Sequence, residues 1–198
     1  MWTEGSGLLR LPPVTDDEFW EFCHRNPLLQ VERNAEGDIL LMAPADSWTA
    51  SSGSDLLGDL VVWNRAQGEP GIVFGPSAGF KLPNGADRSP DISWVERSRW
   101  EAIPGAERRP FARVSPDFVV EVMSPSDRAG EARSKVEEYA ANGVRLGWLV
   151  DLKHQTVTIY RAGSAPEVVD APARLDASPD LPGFIADMTR VFRRDTGE

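Results

Sequence analysis

With 198 residues, 41% of them hydrophobic and 26% charged, the chain can build one domain with a core and is short for two. A net charge of −10 is the wrong sign for a sequence-independent DNA binder, whose affinity comes from Lys and Arg on phosphates. Cys23 is the one cysteine, which excludes an internal disulfide and a Cys-based zinc site, and two histidines are too few for a histidine-rich one.

A first helix is predicted over 14–26, with Thr15 as N-cap, Glu18 closing a capping box and Pro27 beyond the end. Residues 29–33 and 38–43 read as a hairpin across Asn34 to Gly37. From Trp48 to about Arg65 the apolar positions Leu56, Leu57, Leu60, Val61 and Trp63 have helical spacing, and Gly68, Pro70 and Gly71 end the run. Strands are predicted at 72–74 and 78–82, then around Asp91, then around Glu121 after a polar stretch at 97–116. A helix capped by Ser126 or Asp127 should run to about Asn142, with Gly143 taking a left-handed conformation. Two strands at 145–151 and 156–161 follow, then a weak strand at 167–169 and a turn of helix within 184–192. This order implies a mixed central sheet flanked by helices, in the α/β or α+β class, preceded by a helix and hairpin. No apolar run reaches membrane-span length and the first residues do not form a secretory signal, so a cytoplasmic protein is expected.

Two acids stand out because each lies in a short apolar strand pattern: Asp91 in Ser-Pro-Asp-Ile-Ser-Trp-Val and Glu121 in Phe-Val-Val-Glu-Val-Met. A carboxylate inside such a run must be paired, neutralised or bound to a cation. Together, on neighbouring strands, they would suit a hard divalent metal. Alternation places Val119, Glu121 and Met123 on one face of their strand. On the following helix Lys135 lies about 40° outside the stripe of Ala132, Val136, Tyr139, Ala140 and Gly143, so its stem can follow the buried face. Taken singly, Asp91 reads equally as a turn cap after Pro90, Glu121 reads more readily as a functional acid than as a paired strand acid, and Lys135 reads first as a surface partner of Glu131 or Glu138. Glu32, by itself, reads as a solvent-facing hairpin residue. Arg97, Arg99, Arg108, Arg109 and Arg113 could form a basic patch and read more simply as a solvated loop.

Ser89-Pro90-Asp91-Ile92, the run from Pro116 to Asp127, Lys135-x-x-x-Tyr139-x-x-x-Gly143-Val144 and Trp148 to Asp151 strongly resemble the Uma-two family. These are bacterial restriction-endonuclease-like proteins of the PD-(D/E)xK nuclease superfamily. The resemblance implies a single restriction-endonuclease-like domain, its core at about 29–161 and a C-terminal extension at 162–198. It implies an endonuclease acting on nucleic acid, DNA foremost, with Mg2+ or Mn2+, no organic cofactor, no membrane and a homodimeric state. Carried over by residue, Asp91 and Glu121 stand at the two metal-binding acids, with the Val122 carbonyl beside them. The superfamily's lysine usually stands two residues after the second acid, where this chain has Met123, and Lys135 is the residue that matches in its place. Glu32 matches a further acid that approaches the metal. The acidic composition and the absent strand lysine favour a rival from another class, a catalytically inactive nuclease fold serving as a regulatory or protein-interaction module.

Overall fold

A computed structural model of the chain describes residues 8–9, 14–124 and 127–193. In chain order it contains strand β1 (Leu8–Leu9), helix α1 (Asp16–Arg25), the hairpin β2 (Gln30–Arg33) and β3 (Ile39–Met42), and helix α2 (Ser47–Ala66). Strands β4 (Gly71–Phe74), β5 (Phe80–Lys81), β6 (Asp87–Arg88) and β7 (Ile92–Glu96) follow, then a short helix α3 (Arg97–Ala102). Next come β8 (Phe118–Met123), α4 (Ala129–Ala141), β9 (Leu146–Asp151), β10 (Thr156–Arg161), β11 (Glu167–Asp170), β12 (Arg174–Asp176), β13 (Ile185–Asp187) and α5 (Met188–Val191).

The central sheet is mixed, in the order β11-β10-β9-β8-β7-β4. Its one parallel pair is β8 with β9, and α4 is the crossover between them. The hairpin belongs to a second sheet, β1-β3-β2-β6-β5, which the sequence reading did not separate from the first. The reason is local. β6 is two charged residues long, so no apolar alternation announces it. What holds it against β2 is a buried ion pair, with Arg33 Nε donating to Asp87 Oδ2 at 2.7 Å.

Alternation along the central strands sorts two cores. Ile92, Trp94, Phe118, Val120 and Trp148 pack with Leu56, Leu60 and Trp63 of α2. The segment after residue 161, expected as an extension, supplies Leu175, Leu181, Phe184, Met188, Val191 and Phe192 to this same core. On the other face, Val119 meets Tyr139, and Met123 and Leu149 meet Val136, so α4 covers the side toward which Glu121 points. A Cβ at Gly147 of β9 would stand 2.8 Å from Val136 Cγ1, so glycine there is what lets α4 lie this close. At its C-terminal end Gly143 has φ +93°, the left-handed residue expected at that position. The predicted capping box of α1 is also present: Thr15 Oγ1 accepts from the Glu18 N–H, and Glu18 Oε2 accepts from the Thr15 N–H at 2.7 Å. Of the two caps expected for α4, Ser126 lies outside the described residues and Asp127 instead accepts from the Ser124 N–H.

Asp117 is a structural acid that the sequence reading passed over. It is 1% exposed, accepts from the Glu96 N–H at 2.7 Å and pairs with Arg99 and Arg145. Arg97 pairs with Glu69, Arg113 with Asp16, and Arg108 donates to the Ile103 carbonyl. These arginines therefore tie loops and α3 to the body. Asp117→Ala should lower the free energy of unfolding by about 2–3 kcal/mol, because it leaves a buried N–H and two guanidinium groups without their acceptor. Urea unfolding measures it, and a loss below about 1 kcal/mol would refute the structural role.

Candidate active site

Glu121 stands in the middle of β8 with its side chain on the α4 face, and only a tenth of that side chain is exposed. One of its oxygens, Oε1, is held twice. Lys135 Nζ lies 2.9 Å from it and Tyr139 Oη donates to it at 3.0 Å. Lys135 and Tyr139 are four residues apart on α4, so one helix face presents both donors to one carboxylate. Met123, two residues after Glu121, is buried against Val136, Leu149 and Tyr160. The strand position that would carry a lysine is thus core, and the ammonium comes from the helix.

Lys135 Nζ makes a second contact, 2.9 Å from Glu32 Oε1. Glu32 is 2% exposed, which removes its reading as a solvent-facing hairpin residue. Its Oε1 also accepts from the Ser89 N–H at 2.8 Å, and its Oε2 from Arg88 Nη1 at 3.0 Å. Arg88 forks onward, donating through Nε to Glu138 Oε2 at 2.6 Å. Asp91 occupies a bend immediately before β7 rather than the strand itself, and its Oδ2 accepts the Val122 N–H from β8 at 2.8 Å. That bond ties the bend to the strand bearing Glu121.

Two cavities meet at this cluster. One of about 790 Å³ is lined by Asp91, Glu121, Val122, Asp127 and Lys135, and continues along the N-terminal half of α2. The other, about 620 Å³, lies between the hairpin and α4 and is lined by Glu32, Arg88, Glu121, Lys135 and Glu138. Glu121 and Lys135 face both, Asp91 only the first and Glu32 only the second.

Burial dominates the electrostatics. It pushes the Glu121 carboxyl up to about 8; Lys135 opposes this, and the charges of Asp91 and Glu32 add to it. Burial likewise raises Asp91, against the pull of Lys135 and the Val122 N–H. Glu32 goes the other way: despite its own burial, Lys135, Arg88 and the Ser89 N–H hold it below the usual carboxylate range. The Lys135 ammonium is raised, because Glu121, Glu32 and Asp91 outweigh the desolvation that would lower it. Lys135 therefore stays protonated at neutral pH.

Among the described residues the ion pairs of Glu32, Glu121 and Glu138 are made with Arg88 and Lys135, and Asp91 adds a further acid beside them, so the cluster has surplus negative charge when all are ionised. Among the described residues nothing donates to Asp91 Oδ1 or Glu121 Oε2, and no three His, Cys, Asp or Glu side chains are grouped to hold a metal ion. Two carboxylates on one cavity fit a hard cation that keeps most of its waters, as magnesium does.

The sequence-derived Asp91, Glu121, Val122 and Lys135 thus line one cavity, with Glu32 one contact away. Arg88 and Tyr139 were missed as members of the cluster. Tyr139 had a signal, its place one helical turn after Lys135, but its aromatic ring placed it in the apolar stripe. Arg88 sits in a two-residue strand and had none.

Comparisons with known proteins agree with this architecture. A crystal structure from Anabaena variabilis ATCC 29413, described as a "putative nuclease belonging to DUF820", superposes with a TM-score of 0.75 at 22% identity, covering 91% of this chain and 98% of the other. That likeness concerns the fold. Among curated proteins none matches. The model of the Uma2 family, described as "Putative restriction endonuclease", matches residues 16–189. The chain belongs to the Uma2 family.

Proposed function

We propose that this protein is a divalent-metal-dependent endonuclease that hydrolyses phosphodiester bonds of nucleic acid, DNA foremost, working as a cytoplasmic homodimer. The family description and the likeness of fold to a protein titled a "putative nuclease" support a nuclease-like function. The observation that carries the reading is the opening of Asp91, Glu121 and Lys135 into one cavity. Asp91 and Glu121, with the Val122 carbonyl, would hold Mg2+ or Mn2+, and a cation bound there supplies Lewis-acid polarisation of the phosphate. Lys135, permanently charged, is unsuited to take a proton; it would neutralise a non-bridging phosphate oxygen or orient the attacking water. Tyr139 and Lys135 together hold Glu121 Oε1, which leaves Oε2 for the cation.

One observation favours a second reading, the inactive interaction module. The cations along the two cavities, Arg88, Arg128 and Lys135, are all engaged by carboxylates. Nucleic acid must then rely on the metal for charge. Binding of a labelled oligonucleotide at physiological salt should be undetectable in EDTA and appear with Mn2+, gaining at least about tenfold in affinity. Fluorescence anisotropy reads this. The deciding experiment is cleavage of labelled single- and double-stranded DNA and RNA with Mg2+, with Mn2+ and with EDTA. Metal-dependent products that Asp91→Asn abolishes support the enzyme. No cleavage, together with no saturable Mn2+ binding below millimolar concentration, would overturn the enzyme reading and favour the module.

A further inference from the structure

Building on that nuclease reading, we infer that Glu32 is a positioning residue for Lys135 and not a ligand of the cation, with Arg88 acting through Glu32 to set where the ammonium stands. Asp91 and Glu32 line different cavities that share Lys135 and Glu121: Asp91 lines only the larger one and Glu32 only the smaller. A cation shared by Asp91 and Glu121 belongs to the larger one. Glu32 does not line that cavity.

Occupancy of the oxygens agrees. Both oxygens of Glu32 are taken by positive or N–H donors: Oε1 by Lys135 Nζ and the Ser89 N–H, Oε2 by Arg88 Nη1. A carboxylate neutralised by two cations has little attraction left for a third. Asp91 Oδ1 and Glu121 Oε2 have no such donors among the described residues. The described residues contain no three-acid cluster able to hold a metal, as they would if Glu32 completed one with Asp91 and Glu121.

The anchoring is also rigid. Arg88 on β6 spans Glu32 on β2 and Glu138 on α4, and Glu138 is three residues from Lys135 on the same helix. The guanidinium fork thus fixes Glu32 relative to the helix that carries the lysine. A lysine side chain has four rotatable bonds, so a fixed anion is what confines its ammonium to one place. In a chain whose strand position is filled by Met123, this device replaces the rigidity that a strand would give.

The test compares Glu32→Asp, Arg88→Lys and Asp91→Asn with the wild type. Glu32→Asp keeps the charge but retracts it by one methylene, and thermal melting verifies that each variant folds. Calorimetric Mn2+ titration should give Glu32→Asp an affinity within about twofold of wild type, while Asp91→Asn loses at least about tenfold. In cleavage assays Glu32→Asp should lower kcat by at least about tenfold with KM changed less than about twofold, and Arg88→Lys should follow in the same direction. The chain has three lysines, Lys81, Lys135 and Lys153, so the Lys135 13Cε resonance is readily assigned in metal-free protein. It should move in Glu32→Asp and in Arg88→Lys. An Mn2+ affinity that falls in Glu32→Asp as far as in Asp91→Asn overturns the inference, and so does an unmoved Lys135 resonance. If wild-type protein cleaves nothing, the nuclease reading fails, while metal binding and the resonance still decide the place of Glu32.

Discussion

Replacing Glu121 by glutamine should stop cleavage and at the same time make the metal-free protein more stable at alkaline pH. The first effect follows from the proposed role. Losing an anionic ligand at the one place where two carboxylates serve a cation should slow hydrolysis by about a thousandfold or more, roughly 4 kcal/mol of barrier. The second follows from burial. The carboxyl of Glu121 titrates near 8 in the folded chain, against an ordinary value of 4.5. Between these two values the folded state holds a proton that the unfolded state has lost. Stability therefore falls as pH rises through that window, by about 1.4 kcal/mol per unit at most. Glutamine has no charge to bury, and its carbonyl can still accept from Tyr139 and Lys135. The variant should thus match wild type near pH 5 and exceed it by on the order of 3 kcal/mol near pH 8.5. Urea unfolding at the two pH values, set beside plasmid or oligonucleotide cleavage, measures both. Loss of activity accompanied by lower stability at pH 8.5 would mean that Glu121 serves the fold rather than a cation. A site that is costly without its ligand is how function and stability come to oppose each other.

How far this was legible in the sequence varies with the kind of signal. Helices α1, α2 and α4 were readable because each combines an apolar period with a cap or a terminating Pro or Gly. The central strands were readable as short β-branched runs, and alternation along β8 correctly put Glu121 and Met123 on the face that α4 covers. Glu32 was legible only through the family resemblance, since nothing in the hairpin pattern distinguishes a buried acid from an exposed one. Its burial depends on Arg88 and Ser89, more than fifty residues away, meeting it across the second sheet. Pairings of that range leave no periodic trace. The same limit explains Asp117: Pro116-Asp117 and Pro90-Asp91 look alike in sequence, yet one acid clamps two arginines and the other opens into a cavity. What separates them is the tertiary neighbourhood alone.

Lys135→Met carries the other large expected effect, and it should show in two steps along the pH axis. Methionine fills the space of the stem, so the variant removes the ammonium with little change in packing. Lys135 is held well above its ordinary value, hence it is charged in both states up to about pH 10, and its contribution is complete throughout the range considered. Its two partners then decide where the loss appears. Glu32 is held below the ordinary carboxylate value, first against burial by Lys135 and then by Arg88. A depressed carboxyl stabilises the fold above its unfolded value of 4.5, and that benefit is lost as pH falls through the folded value. Removing Lys135 should therefore cost progressively less as pH falls below 4.5 toward the folded value of Glu32, and more once pH exceeds about 5. Glu121 adds nothing at that stage, because it is still protonated. Above about pH 8 it ionises in the wild type beside Lys135, whereas in the variant it stays protonated to higher pH. The unfolded chain has lost that proton, so the variant goes on losing stability where the wild type has levelled off. By pH 9 the total should reach about 3–5 kcal/mol, the range for breaking one side of a buried ion pair. Chemical unfolding at pH 4, 6.5 and 9 resolves the steps. Adding Glu121→Gln to Lys135→Met should erase the upper step and leave the lower one, since only Glu32 then remains to miss the ammonium. Curves for Lys135→Met and wild type that run parallel from pH 4 to 9 would mean that the ammonium is not coupled to either acid, and the site proposed for Asp91, Glu121 and Lys135 would fall with it.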